Sequence, residues 1–229
     1  MCGRFTRYLS WAEIHRLYRL TVTDQGRNTE ARYNIAPTED VLFVTAGDDV
    51  DHKLREGRWW LVPWWAKELP KAAMFNARSE TVDTSGAFKD AFKSTRCLIP
   101  TDGFYEWTKN PGDGGKDPWH IFLPGPAPFS FAGLWAHNKT LGITSCAIIT
   151  AAAVEPVRQI HDRMPVILDP AVYDAWLDPA TPAGDVKGLL GHHLDSELQF
   201  HRVDRSVNST KDRSDRADMI EPINPINPL

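Results

Sequence analysis

Cysteine is scarce in this chain of 229 residues, with only three, Cys2, Cys97 and Cys146. They lie far apart, their number is odd, and no Cys-x-x-Cys pair occurs. That excludes the usual zinc spacing and a disulfide framework, and it suits a reducing cytosol. Long apolar runs are also missing. Nothing approaches the ~18 residues of a membrane span, and the start lacks the apolar stretch of a signal peptide. A cytoplasmic protein without membrane contact is expected. Positive charge is not in excess: 26 Lys and Arg stand against 30 Asp and Glu, a net charge of −4. This argues against a broadly basic nucleic-acid-binding surface but leaves room for a local basic groove. Neither a glycine-rich phosphate loop nor a Rossmann pattern is present, so no cofactor is expected, and no metal.

Tryptophan, by contrast, is plentiful. There are nine, including the adjacent pairs Trp59-Trp60 and Trp64-Trp65. Buried tryptophans serve as core anchors, and exposed ones as stacking platforms. With 42% hydrophobic and 24% charged residues, the composition is that of an ordinary globular domain with a sizeable core. The opening Met1-Cys2-Gly3-Arg4-Phe5 holds the most unusual chemistry. Removal of Met1 would leave Cys2 with a free α-amine and a thiol on adjacent carbons. Such an aminothiol condenses with an aldehyde to an imine, and the thiol then closes a thiazolidine ring. An α-amine also has a pKa near ~8, so more of it is unprotonated near neutrality than of a lysine. The plainer reading is that Cys2 is a small second residue exposed by routine methionine removal.

Hydrophobic periodicity and turn residues suggest an α+β domain, a mainly antiparallel, barrel-like sheet with peripheral helices. A strand is expected over Gly3–Phe5, and a helix after Ser10 with Glu13 completing a capping box. Residues 23–32 read as a loop, Asn34–Pro37 as a turn, Val41–Thr45 as a strand and Gly47-Asp48-Asp49 as a hairpin turn. Phe88, Ala91 and Phe92 have helical spacing, with Thr84 or Ser85 as the cap. Strands follow at Arg96–Pro100, Gly103–Trp107, Trp119–Leu123, Phe129–Trp135, Ser145–Thr150 and near Leu198–Val203. In Gly103–Trp107, Phe104 and Glu106 share one face, Tyr105 and Trp107 the other. A helix starts at Asp169-Pro170.

Four polar clusters sit in apolar contexts, where polar groups are costly without partners. They are Cys2-Gly3-Arg4, Asn76-Ala77-Arg78, Glu106 and His161-Asp162-Arg163. A carboxylate flanked by aromatics tends to a raised pKa, which suits Glu106 to proton shuttling; the alternative is a strand glutamate facing solvent. His161 could equally be a capping or core histidine, Asn76 a turn cap, Pro37 simple turn chemistry, and Arg78 a partner of Glu80 or Asp83.

Eight segments, in order, carry a resemblance. They are Met-Cys-Gly-Arg-Phe at the start, Tyr-Asn-Ile-Ala-Pro at 33–37, Trp-Trp-Ala at 64–66, Asn-Ala-Arg-Ser-Glu-Thr at 76–81, Arg-Cys-Leu-Ile-Pro at 96–100, Gly-Phe-Tyr-Glu-Trp at 103–107, Ile-Ile-Thr at 148–150 and His-Asp-Arg-Met-Pro at 161–165. Together they resemble the signature blocks of the SOS response-associated peptidase (SRAP) family. The resemblance implies one such domain over residues 1–222, with 223–229 a short extension, and a monomer whose partner is single-stranded DNA containing abasic sites. It implies Cys2 as the nucleophile that crosslinks covalently to the abasic sugar after self-removal of Met1. It further implies Asn76, Glu106 and His161 as the other catalytic residues. Arg4, Arg78 and Arg163 would contact phosphates, and Pro37, Trp64, Trp65, Trp107 and Thr150 would lie along the DNA. Pro63 directly abuts Trp64, where the family commonly has a glycine or serine between. A strand-cleaving lyase activity would accompany the crosslink, through β-elimination from the imine. The rival reading is an N-terminal-nucleophile amidohydrolase using Cys2, although the glutamine-binding blocks of such enzymes are absent.

Overall fold

The computed structural model describes residues 2–20, 30–47, 52–125, 127–191, 194, 198–210 and 215–223. Met1, most of the 23–32 loop, the Asp48-Asp49 turn and the tail from 224 fall outside the described residues. Among the described residues thirteen strands form two sheets, as the α+β reading anticipates. The strands are β1 Phe5–Arg7, β2 Arg32–Ile35, β3 Asp40–Ala46, β4 His52–Trp59, β5 Asn76–Arg78, β6 Arg96–Thr101 and β7 Gly103–Lys109. They continue with β8 Lys116–Phe122, β9 Phe129–Asn138, β10 Ile143–Ala152, β11 Arg163–Pro165, β12 Ile167–Leu168 and β13 Gln199–Arg202. The helices are α1 Trp11–Tyr18, α2 Lys89–Ser94, α3 Tyr173–Leu177 and α4 Ala183–Leu189.

The smaller sheet runs β13-β8-β7-β1-β2, all antiparallel. In the larger one β10 pairs with both β4 and β9, so β10-β4-β3-β6-β9 returns to β10 and closes on itself. That is the barrel-like element of the sheet. Among the named strands, parallel pairing occurs between β10 and β4 and between β10 and β5, and an isolated parallel bridge joins Leu20 to His52.

Strand alternation sorts the apolar residues by face. Phe5, Ile35, Phe104 and Ile121 of the small sheet pack with Phe43, Ile99, Phe131 and Ile148 of the large one. The alternate residues of the large sheet, among them Val44, Leu98, Leu134, Ala147 and Ile149, lie under the helices with Ile14, Phe92, Trp176 and Val186. Tyr105 on the outer face of the small sheet is covered by Val203, Val207 and Met219 from the C-terminal segment. Among the described residues, no helix is long and apolar enough to cross a membrane.

Several local expectations hold. Ser10 caps α1, with the Glu13 backbone N–H donating to its hydroxyl and Glu13 Oε2 accepting from Ser10 N at 2.8 Å. Asp169 caps the turn that enters α3, with Pro170 following. Others need correction. The first strand begins at Phe5 because Phe5 pairs with both Ile35 and Phe104, leaving Cys2 to Arg4 as an extended lead-in. Asn34 and Ile35 belong to β2, and only the following residues turn. Neither Thr84 nor Ser85 caps α2: Phe88 occupies the cap position without a side-chain bond, and the Ser85 carbonyl accepts from Phe88 and Lys89.

The turn from β2 to β3 runs over Ala36-Pro37-Thr38-Glu39, closed by Glu39 N donating to Ala36 O at 3.2 Å. Proline suits its second position, and the third requires positive φ. Thr38 takes that role at φ 81°, where a β-branched residue is strained by ~1–2 kcal/mol. Thr38 is exposed, so few contacts depend on its side chain. Thr38→Gly is expected to raise the unfolding midpoint by about 2–4 °C, the shift that ~1 kcal/mol gives a domain of this size. An unchanged or lower midpoint in calorimetry would show that the turn is not strained.

Candidate active site

Four separated segments meet around Cys2. The lead-in to β1 brings Cys2 itself to 0% exposure. β5 lies parallel to β10 with Asn76 opposite Ile148 and Arg78 opposite Thr150. This register aims the Asn76 amide at the chain start, where Nδ2 donates to the Cys2 carbonyl at 2.7 Å. Its Oδ1 is buried without a hydrogen-bond partner among the described residues, an acceptor left for an incoming donor. β7 supplies Glu106 from the face it shares with Phe104, so it turns inward and is 2% exposed. The solvent-facing alternative for Glu106 is thereby overturned. The short turn before β11 supplies His161, whose Nε2 stands 4.0 Å from Glu106 Oε2.

The electrostatics of the cluster follow from burial. Loss of water raises the Glu106 carboxyl from its ordinary 4.5 to about 7, where a carboxyl both takes and gives protons near neutrality. Burial, reinforced by Glu106, pushes the Cys2 thiol well above the ordinary thiol range, so it rests as a thiol. Burial also lowers the His161 imidazole, favouring its neutral form. Its Nδ1 lies 2.9 Å from the Arg163 N–H and 3.0 Å from Asp162 Oδ1. When neutral, Nδ1 accepts from Arg163 and leaves the proton on Nε2, facing Glu106. When charged, Nδ1 donates to Asp162 instead. The turn therefore serves either state of the ring.

The arginines occupy three different settings. Arg78 is exposed. Arg163 is held by both carboxylate oxygens of Glu80, at 2.5 and 3.1 Å, and by the Thr150 carbonyl at 2.6 Å. Glu80 thus pairs with Arg163 rather than Arg78, and Asp83 pairs with Lys187 at 2.6 Å. Thr150 is buried, its hydroxyl donating weakly to Ala77 O at 3.4 Å. Arg4 is 7% exposed and stacks beside Trp107, 5.9 Å from the ring centroid. Pro37 lines a cavity of about 610 Å³ with Arg32, Asn34, Glu39 and Asp215.

Trp64 and Trp65 are 63% and 53% exposed, but they border a different cavity, beside α2 and the Trp135–His137 end of β9. Trp64 Nε1 donates to Asp90 there at 3.1 Å. Sequence reasoning did not find Asn34, whose side chain accepts from Arg4 at 2.5 Å, nor Asn208, which accepts from Trp107 Nε1 at 2.6 Å. Asn34 stands within the Tyr-Asn-Ile-Ala-Pro block, a signal that the turn reading passed over. Asn208 carried no signal.

Glu106 leaves a measurable mark on stability. Its folded value lies above the ordinary 4.5, so between about 4.5 and 7 the folded protein keeps a proton that the unfolded chain releases. Stability from this group is present at low pH and is lost as pH rises through 7. Glu106→Gln removes the titration. Its melting temperature is expected to match wild type near pH 4 and to exceed it at pH 8. A difference that stays constant across that range would contradict the raised carboxyl.

The chain has relatives of known sequence and fold. The chain is 36% identical over 217 residues to abasic site processing protein YoaM of Bacillus subtilis (strain 168), covering 93% of this chain and 95% of that protein. It is 30% identical to abasic site processing protein YedK of Escherichia coli (strain K12), covering 93% and 96%. A crystal structure of a protein from Bacteroides thetaiotaomicron shares the fold at a TM-score of 0.81 and 19% identity, over 96% of this chain and 99% of that one. A Bordetella bronchiseptica structure matches at 0.74 and 26% identity, over 89% and 100%. The model of the family described as SOS response associated peptidase (SRAP) matches residues 1–210. The chain belongs to that family.

Proposed function

We propose that this protein processes abasic sites in single-stranded DNA by crosslinking to them through Cys2. The observation that carries this reading is the convergence of Asn76, Glu106 and His161 on a buried second residue. Removal of Met1, with Cys2 as the thiol of an autopeptidase, exposes the α-amine. The Cys2 amine adds to the C1′ aldehyde of the ring-opened sugar. Glu106 takes the proton released by the nitrogen and returns it to the departing hydroxyl, which leaves as water. As the sugar opens, O4′ gains one proton and the C1′ hydroxyl gives one up to Glu106; His161, neutral with its proton on Nε2, hydrogen-bonds O4′ and relays the proton from Glu106, so the ring is left neutral. The thiol then adds to the imine carbon, its proton passes to nitrogen, and a thiazolidine closes. The balance is aldehyde plus aminothiol giving thiazolidine plus water.

Asn76 positions both partners without adding a buried charge, its Nδ2 on the chain start and its Oδ1 open to the sugar. Positioning of this kind turns a bimolecular condensation into an intramolecular one. The imine also acidifies the C2′ proton, so β-elimination of the 3′ phosphate competes with ring closure and gives a lyase side activity. Arg78 and Arg163 supply phosphate contacts in a narrow path, which suits DNA binding by an acidic protein. Trp107 offers an aromatic face beside the gap, where stacking on a flanking base contributes ~1–3 kcal/mol without reading sequence.

Mixing the protein with single-stranded DNA carrying one abasic site is expected to give one detergent- and heat-resistant adduct per site on a denaturing gel. Failure of the wild type to form it overturns the proposal. Intact mass should show Met1 absent, and an adduct formed with Met1 still attached would remove the amine from its role. Cys2→Ala, prepared with Ala at its N-terminus so that the α-amine is free without self-cleavage, should retain a labile imine and some strand cleavage but lose the stable product. An alanine adduct as durable as wild type would exclude the thiol.

The pH dependence follows from the two groups. Crosslinking should slow as pH falls through about 7, where Glu106 takes up its proton, and the amine adds a limb near ~8. In Glu106→Gln the limb near 7 should vanish while the amine limb stays. Persistence of both limbs would assign the proton transfer elsewhere.

A further inference from the structure

The C-terminal segment, described at residues 203–210 and 215–220, packs on the outer face of the small sheet, and the family match ends at residue 210. Its first part is anchored tightly. Val203 N donates to Pro118 O at 3.1 Å, Asp204 caps the turn Arg205–Asn208, and Arg205 Nε donates to Asp117 at 2.8 Å. Farther on, Asp215 accepts from the backbone N–H groups of Tyr33 and Asn34 at 3.0 and 2.9 Å and pairs with Arg32. The segment thus clasps β2 and β8, the strands that flank β1 and β7.

Between these anchors it touches two residues of the proposed DNA path. Arg4 Nη1 donates to Val207 O and to Asn34 Oδ1, both at 2.5 Å, and Nε donates to Gly3 O at 3.3 Å. All three acceptors are neutral, so the charge of a guanidinium that is 7% exposed is unmatched by its direct partners and is eased only at longer range by Glu39. Burying a cation among neutral groups is costly unless an anion completes the site. Trp107 is fixed from the same side. Its Nε1 donates to Asn208 Oδ1 at 2.6 Å, while Asn208 Nδ2 donates to Lys116 O at 2.9 Å. Asn34 Nδ2 closes the circuit on Ser209 O at 3.3 Å.

We propose that residues 203–210 and 215–220 form a positioning strap that, with Asn34, presets the Arg4 guanidinium and the Trp107 ring to receive a phosphate and a flanking base. The ligand is the single strand of the proposed function, and the inference rests on that reading. Asn34 and Asn208 are positioning residues that act through Arg4 and Trp107. Without them the side chains pay rotamer entropy on binding.

The test measures affinity for a single strand carrying a tetrahydrofuran abasic analogue, which has no aldehyde and cannot crosslink, across a range of salt. Asn208→Ala is expected to raise Kd on the order of fivefold, the loss of one hydrogen bond's net effect, with an unchanged salt slope. Combined with Trp107→Ala it should add nothing further. Asn34→Ala should also weaken binding and should lower the salt slope by about 0.7, one single-strand phosphate contact. Ser10→Ala, which removes the cap of α1 away from this face, controls for lost stability and should leave Kd and slope unchanged. Wild-type affinity in Asn208→Ala, or full additivity with Trp107→Ala, overturns the strap. An unaltered slope in Asn34→Ala overturns the role of Asn34. Wild-type protein that crosslinks authentic abasic DNA while these variants bind normally would sink the strap alone. Wild-type protein that neither binds nor crosslinks would sink the underlying reading with it.

Discussion

A three-residue strand at the very start of the chain is held in the interior of a sheet. β1 lies between β2 and β7, with Phe5 paired to Ile35 on one side and Phe104 on the other. Chain termini ordinarily fray because little ties them down. Here the side chain of Phe5 sits edge-on against Trp59 and Phe131 at 5.0 and 5.9 Å between ring centroids. That packing carries Cys2, three residues upstream, into full burial. The rest of the site is arranged around this constraint.

Burial sets the chemistry as well as the place. A thiol, a carboxyl and an imidazole brought together out of water all shift toward their neutral forms. For Glu106 this puts the titration near neutrality, and for Cys2 it keeps the sulfur protonated. A buried thiol at rest is a poor nucleophile. That fits the proposed order, in which the amine acts first and the sulfur closes the ring later. Asn76 adds directional hydrogen bonding without another charge, which the low dielectric of the pocket would penalise.

The charged residues near the site show how an acidic chain can present positive groups selectively. Glu80 holds the Arg163 fork on one side of the pocket, and neutral oxygens hold Arg4 on the other. The two arginines therefore differ. In the proposed complex a phosphate would compete with a carboxylate at Arg163, whereas at Arg4 the charge is unmatched by its direct partners. Both depend on fixed geometry, since a guanidinium recognises oxygens through a rigid fork.

What the amino-acid order determined is mostly local. The Ser10-x-x-Glu13 box, the Asp169-Pro170 helix start and the inward and outward faces of Gly103–Trp107 follow from spacing within a few residues. The same is true of Cys2 and Glu106 as polar anomalies, because position two and an aromatic flank are visible in the chain itself. Capping at Thr84 or Ser85 failed because the backbone of a preceding turn satisfies the first N–H groups of α2. The tertiary structure alone decided who pairs with whom. Sequence proximity offers Arg78 as the partner of Glu80, and only the register of β5, β10 and β11 brings Arg163 there instead. Arg4 meets a carbonyl 203 positions away. No periodicity encodes such a contact, because it arises when two sheets and a C-terminal strap close on one another.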